Sequence, residues 1–374
     1  VGWSWNFGDG DTSSQQNPVH MYPADGAYNA TLTVATDSGC TDNIQIPVVI
    51  DPLPQVNFAV NNVCLYDSVF FTDSTTINTG TLAFWNWTFG DANISTLQNP
   101  AQLYSLPGLF DVTLIVTSDK NCTDTLTKPL IIHPVPAAQF STQNECRYDT
   151  AYFTDNSTLS QGNIAGWNWD FGDNNTSSLQ FPDNLYASAG TFTVNLIVIS
   201  DSGCVDSVNH TIVIHPVPLA AFTTQDVCVY EPAVFTDNST VSSGAVVSWN
   251  WDFGDNYISA IQSPAHLYLT YDTTVVQLIV ATDSGCVDTA YGGIMIHPQP
   301  EIWFAADTTK GCELFCVQFS DSSVIPGNYS IDGWNWDLGD GTVSSLQSPS
   351  NCYKAFNLLQ PGIYTITMIA TSSA

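Results

Sequence analysis

Between residues 52 and 133, apolar and polar residues alternate in short bursts, each closed by Gly, Pro, Asn or Asp. The pattern predicts strands over 55–60 and 68–73, with a turn over 61–67 between them. It predicts another over 84–89, a short one over 102–104, and two longer ones over 110–117 and 125–133. Period two puts Trp85, Trp87 and Phe89 on one face of the 84–89 strand. Gly90-Asp91 ends that strand, Gly108 precedes the next long one, and a hairpin over 118–123 carries Cys122. No segment follows the helical period. About seven short strands with turn signals every 8–12 residues or so predict an antiparallel β-sandwich.

The same grammar recurs. The segment Trp85-Asn86-Trp87-Thr88-Phe89-Gly90-Asp91 has counterparts beginning at Trp3, Trp167, Trp249 and Trp334, and their glycines lie 82, 82, 82 and 85 residues apart. A fixed long period signals an array of one structural unit. Pro52-Leu53-Pro54, Pro134-Val135-Pro136, Pro216-Val217-Pro218 and Pro298-Gln299-Pro300 fall on the same register. Proline fixes φ and withholds a donor, so these tripeptides read as stiff joints. They set the units at 1–51, 52–133, 134–215, 216–297 and 298–374, with the first missing its N-terminal part and the last, divergent, missing its final strand. The expected core centre of each unit is Trp5, Trp87, Trp169, Trp251 or Trp336, because one such aromatic buries roughly 150–250 Å². The outer aromatics offer an alternative role in stacking on sugars. His133, His215 and His297, each alone before a joint, read as structural.

Composition narrows the partners. Five basic residues against 35 acidic ones give a net charge of −30, which disfavours nucleic acid and anionic membranes. Hydrophobic residues make up 44% of the chain and charged ones only 11%, so an acidic disordered tail is excluded. Nearly all the acid is Asp, a residue of turns. No apolar run approaches the roughly 20 residues that cross a bilayer, so no membrane insertion is expected. Ten cysteines, eight of them at repeating positions, point to an oxidising, extracellular setting.

Trp-Asp-Phe-Gly-Asp as at Trp169–Asp173, then Asn-Pro as at Asn99-Pro100, then a Tyr such as Tyr104, then Gly-x-Phe/Tyr-x-Val-x-Leu-x-Val resembles the PKD domain, an immunoglobulin-like sandwich. Units two to four carry the pattern, with Asp272 and Thr274 of unit four in place of its Gly and Phe and with Phe181 and Ser263 in place of the Asn before Pro, and unit one carries it from its Trp motif onward. Unit five departs: Leu338 replaces Phe, three residues are inserted before the motif, and five more lie between Tyr353 and Tyr364. The Gly203-Cys204-Val205-Asp206 and Gly285-Cys286-Val287-Asp288 hairpins, with the proline joints, resemble long surface adhesins of Bacteroidota exported by type IX secretion. The resemblance implies all-β tandem immunoglobulin-like sandwiches in an extended array, and binding, spacing or adhesion rather than catalysis. PKD units also accompany secreted hydrolases.

In that topology three cysteine pairings compete. Each full unit has one Cys in its first turn (Cys64, Cys146, Cys228, Cys312), and units one to four have one in the last hairpin (Cys40, Cys122, Cys204, Cys286). Pairing across a joint, Cys40 with Cys64, needs the chain to double back. Pairing within a unit, Cys64 with Cys122, must span opposite ends of a sandwich, roughly 30 Å apart. Linking a first turn to the hairpin of the following unit gives Cys64–Cys204 and Cys146–Cys286, the preferred pairs, with Cys40, Cys228 and Cys312 paired outside this stretch. Cys316 and Cys352, found only in unit five, fall on neighbouring strands and suit a cross-strand bridge.

Candidate chemistry is sparse. Asp9 and Asp11 after the first Trp motif and Asp340 after the fifth are calcium candidates, but the middle units replace this pattern, which argues against one shared cage. No Gly-x-Ser-x-Gly elbow with its partners appears, so neither enzyme activity nor a cofactor is expected. Asp followed by Ser or Thr and a small apolar residue, at Ser68, Thr125, Thr150, Ser207 and Thr289, is similar to a bacterial O-glycan acceptor pattern. The expectation is a stalk or filament segment of a cell-surface adhesin, its partners being other copies or domains of the filament and surface glycans or ligands. The alternative is an accessory glycan- or protein-binding array of a secreted hydrolase.

Overall fold

The computed structural model describes residues 1–312, 314–354 and 362–372, and its regular elements are all strands. Residues 355–361, in the stretch between Tyr353 and Tyr364 that holds the second insertion of unit five, lie outside the described residues. Among those described, no helix is long and apolar enough to cross a membrane. The chain forms two compact units: Val1–Thr142 with Tyr152–Asn184 and Thr193–Thr211, and Gln143–Ala151 with Leu185–Phe192 and Ile212–Ala374. The third repeat contributes to both.

Within the first unit the second repeat is a complete sandwich. One layer holds five strands in the order Ile94–Ser95, Leu82–Thr88, Gly108–Ser118, Thr123–His133 and Val63–Cys64. All neighbours are antiparallel except the last, where Val63 and Cys64 run parallel to Ile132 and His133. Facing it are two small ladders, Ala101–Leu103 on Ser68–Phe70 and Phe58–Ala59 on Thr72–Asp73. Trp87 is fully buried between the layers, edge-on to Phe58 and beside Phe71, with Val112, Leu114, Val116, Leu130 and Ile132 completing the core. Its indole N–H donates to the Leu97 carbonyl at 2.9 Å, so the one polar atom of the side chain is satisfied.

Two expected strands differ from the pattern. The 68–73 strand divides at Phe71, whose N–H donates to the Pro100 carbonyl. Pro100 has no N–H to continue the ladder, so the chain changes partner to Phe58–Ala59. The 55–60 strand shrinks to Phe58–Ala59 plus an isolated bridge between Gln55 and Thr76, because the Val56 N–H is aimed at the Asp124 carboxylate instead of a ladder.

In the first repeat four strands, Thr12–Ser13, Gly2–Asn6, Gly26–Ala35 and Thr41–Ile50, form one antiparallel sheet. Trp5 was expected at a core centre and is only half-buried. The reason is that among the described residues no second layer closes over this sheet, so Ile44 and Ile46 are exposed as well. In the second unit the fourth repeat repeats the full sandwich, with Trp251 fully buried among Phe222, Phe235 and Phe253. The fifth keeps a smaller core of Val317, Phe319, Trp336, Leu338 and Tyr353.

The glycine of the Trp motif has a strict role. Gly90 and Gly172 sit at φ +80° and +78°, and a Cβ on Gly172 would lie 2.6 Å from the Thr193 carbonyl oxygen. Only glycine allows the strand to turn so close to a neighbouring backbone.

Candidate functional site

The repeats meet chemistry at their first turns. Val63–Cys64 runs beside the end of the last strand of its own repeat, and the Leu65 N–H donates to the His133 carbonyl at 2.8 Å. Cys64 is thereby held where the chain leaves the repeat through Pro134. The Asp67 N–H returns to the Cys64 carbonyl, and Tyr66 takes φ 75° to close the turn. The partner cysteine sits in a tight hairpin: the Cys204 N–H donates to Ser200 Oγ, the Ser200 N–H donates to the Cys204 carbonyl, and Gly203 takes φ 84° as glycine permits.

The structure joins Cys64 to Cys204, with Cα atoms 5.7 Å apart and a sequence separation of 140, both in the first unit. It joins Cys146 to Cys286 across the same 140-residue separation, both in the second unit. Here too the first turn is anchored on the last strand, Arg147 N–H donating to the His215 carbonyl. Cys316 and Cys352 stand opposite each other in a ladder and form the third disulfide. Cys40, Cys122, Cys228 and Cys312 are free thiols. The Cys122 sulfur faces the Asp51 carbonyl at 3.9 Å, at the joint that precedes its repeat. Burial, with Glu231 adding to it, pushes the Cys228 thiol up.

A carboxylate clamp recurs that sequence reasoning missed. Asp73 accepts from Trp85 Nε1 at 2.8 Å, Gln98 Nε2 at 3.1 Å and the Thr75 N–H at 3.0 Å. Asp155, Asp237 and Asp321 do the same with Trp167 and Gln180, Trp249 and Gln262, and Trp334 and Gln347. Burial alone would raise these carboxyls, but the hydrogen bonds outweigh it and hold all four below the ordinary value. The edge Trp is thus tied down by its N–H rather than left as a free platform. The available signal was the 82-residue register shared by Asp73, Asp155, Asp237 and by Gln98, Gln180, Gln262.

Of the calcium candidates, Asp9 and Asp11 come together with His20, their ligand atoms all within 4.8 Å. His20 Nε2 already engages Asp9 Oδ2 at 2.5 Å, and its ring stacks on Phe7. Asp340 accepts from Asn351 Nδ2 and the Thr342 N–H, and those bonds, Asn351 foremost, hold its carboxyl low. Two carboxylates and an imidazole do not fit calcium, which takes six to eight oxygens. Among the glycan candidates Ser68, Thr125, Ser207 and Thr289 are exposed and Thr150 is half-buried. The aspartates before Ser207 and Thr289 have a structural use: Asp206 and Asp288 accept the N–H of Ala138 and Ala220 at 2.8 Å, tying the last strand to the segment after the joint.

These features define tandem immunoglobulin-like sandwiches cross-linked from one repeat to the next. The PKD domain profile matches residues 1–50, 51–132, 133–215, 213–294 and 297–374, and the chain belongs to the PKD domain family. It is 30% identical over 130 residues to the pre-pro-metalloprotease PrtV of Vibrio cholerae, covering 34% of this chain and 14% of that protein. It is 39% identical over 57 residues to the collagenase ColA of Bacillus cereus, covering 15% of this chain and 6% of that protein. The chain therefore spans a small fraction of the length of either relative. Among solved structures it is similar to the PKD1 domain of Vibrio anguillarum Epp, at 29% identity and a TM-score of 0.21, covering 22% of this chain and 96% of that one.

Proposed function

We propose that this chain is a non-catalytic spacer, a stalk or filament segment of an extracellular adhesin that provides length, rigidity and repeated contact surfaces. The observation that carries this reading is the pair of disulfides that each tie a first turn to the hairpin of the next repeat. A loose string of binding modules needs no such ties. The Gly-Cys-x-Asp hairpins and proline joints favour a long surface protein of the Bacteroidota type exported by type IX secretion. Its partners are further repeats of the same filament and ligands or glycans at a surface, and O-glycans on the exposed Ser68, Thr125, Ser207 and Thr289 fit this setting. Small-angle scattering tests the spacer directly. Repeats of roughly 35–40 Å each, the length of a strand plus a joint, give a thin particle about 150–180 Å long. A distance distribution typical of a compact globule refutes the reading.

A second reading is favoured by the relatives, a metalloprotease and a collagenase. There the array is an accessory arm of a secreted hydrolase. It predicts retention of the purified chain on fibrous collagen or on polysaccharide, which the spacer reading does not require.

A further inference from the structure

The two inter-repeat disulfides overlap. In chain order the half-cystines run Cys64, Cys146, Cys204, Cys286, and the bonds join the first to the third and the second to the fourth. We infer that this crossing makes the chain from Cys64 to Cys286 a redundant covalent relay, in which two of three backbone segments can be severed without parting the ends. This goes beyond the spacer reading and holds equally for an arm of a hydrolase, because it depends only on connectivity.

The three segments are 64–146, 146–204 and 204–286. If the first is cut, Cys64 still reaches Cys286 through Cys204 and the third. If the third is cut, the first still leads through Cys146 to Cys286. If both are cut, the path runs from Cys64 to Cys204, backwards along the middle segment to Cys146, and across to Cys286. Two disulfides placed in series, each closing its own repeat, would lack this property: a single break between them would separate the ends. The crossing follows from placing the first-turn cysteine at the far end of one repeat and the hairpin cysteine at the near end of the following one.

The same path limits stretching. Fully extended, the backbone from Cys64 to Cys286 holds about 220 residues and reaches roughly 750 Å. Through both disulfides the shortest path holds about 60 residues and goes taut near 200 Å. Under load the chain therefore yields about a quarter of the length its backbone contains. For an extracellular protein exposed to proteases and shear, a nicked loop does not cost continuity, and until the staples are reduced the tether stays short, about 60 residues after a nick outside 146–204 and about 80 after one within it.

The test places one protease recognition site in each segment, in exposed loops between Asn78 and Thr79, Ser160 and Gln161, and Ser242 and Ser243. Cleavage at any one site, or any two, is expected to leave one full-mass species on non-reducing denaturing electrophoresis, which falls apart on reduction. Cleavage at all three is expected to give two products: 1–78 joined to 161–242, and 79–160 joined to 243–374. In the Cys64→Ser, Cys204→Ser variant the first site alone is expected to release 1–78. Any fragment released by a single cut of the oxidised wild-type chain, or any other partnership after the triple cut, overturns the relay. Pulling the chain by its termini supplies a second reading: reduction is expected to lengthen the stretch contributed by this region roughly fourfold, and equal lengths before and after reduction count against the proposal.

Discussion

The carboxylate clamp is best tested in the fourth repeat, which lies wholly in one compact unit. Asp237→Ala removes the acceptor for Trp249 Nε1 at 2.7 Å, Gln262 Nε2 at 3.1 Å and the Ser239 N–H at 2.9 Å. A hydrogen bond to a charged group contributes about 1.5–3 kcal/mol, and the half-exposed position favours the lower end for the Trp bond, with about 0.5 kcal/mol for each of the others. The sum is about 2.5 kcal/mol, or about 10–20 °C for a domain of this size. Trp249→Phe keeps the packing and removes the donor, so it is expected to cost about 1.5 kcal/mol, and the double variant less than the two together by at least about 1 kcal/mol. Native-state hydrogen exchange on the amides of Thr273–Thr282 reads this repeat apart from the others. The pH dependence has a defined sign. Burial works to raise the Asp237 carboxyl, the hydrogen bonds from Ser239, Gln262 and Trp249 outweigh it, and its folded pKa lies below the ordinary 3.8. Its contribution is then complete above the unfolded value and is lost as pH falls through the folded one. The wild-type repeat should weaken below about pH 4, and Asp237→Ala should show less of that decline. An Asp237→Ala chain within about 0.5 kcal/mol of wild type, or additive single effects, refutes the clamp.

Gly172→Ala places a Cβ at φ +78° and 2.6 Å from the Thr193 carbonyl oxygen, and is expected to cost at least about 2 kcal/mol in the exchange stability of strand Ile164–Asp170. Cys316→Ser with Cys352→Ser opens a loop of 36 residues; the chain-entropy relation gives about 4 kcal/mol, seen as earlier urea unfolding of the fifth repeat with the fourth unchanged.

Much of the fold is legible in the residues alone. Period two in the Trp strand places Trp87 inside, and the 82-residue register identifies the unit and its joints. What is not legible depends on partners distant in sequence. Phe71 divides a run that reads as one strand, because its neighbour across the ladder is a proline 29 or so positions on. Asp73 looks like a strand-ending aspartate; its role depends on Trp85 and Gln98, which come near only after the layers pack. Trp5 has the same local pattern as Trp87, yet burial is conferred by the opposite layer and not by its own strand. The cysteines form a repeating pattern that left three pairings open in sequence, with Cys64–Cys204 and Cys146–Cys286 preferred, and the structure forms those two; what the sequence does not show is the two-residue parallel strand that carries the first turn to the end of its repeat.

The aspartate that follows the motif glycine shows why a calcium site and a structural brace can look alike in sequence. In every repeat one of its oxygens accepts the N–H two residues on: Asp11, Asn93, Asn175, Tyr257 or Thr342. The other faces the residue eleven positions on, which is His20, Gln102, Asn184, His266 or Asn351. These five side chains differ in shape, and each presents a polar hydrogen to the carboxylate. Gln102, Asn184 and Asn351 also carry an amide oxygen, but each turns its N–H to the carboxylate, and a donated hydrogen and a cation compete for that lone pair. His266, stacked on Phe253 with ring centres 4.3 Å apart, decides between the two roles. His266→Gln retains a donor and is expected to lie within about 0.5 kcal/mol of wild type, whereas His266→Leu leaves Asp255 without it and should cost about 1–2 kcal/mol. Millimolar calcium or EDTA should move neither variant nor the wild type by more than about 1 °C, because a ligand that does not bind the native state cannot raise its stability. A calcium-dependent rise in melting temperature that His266→Leu enhances would assign the carboxylate to a metal instead.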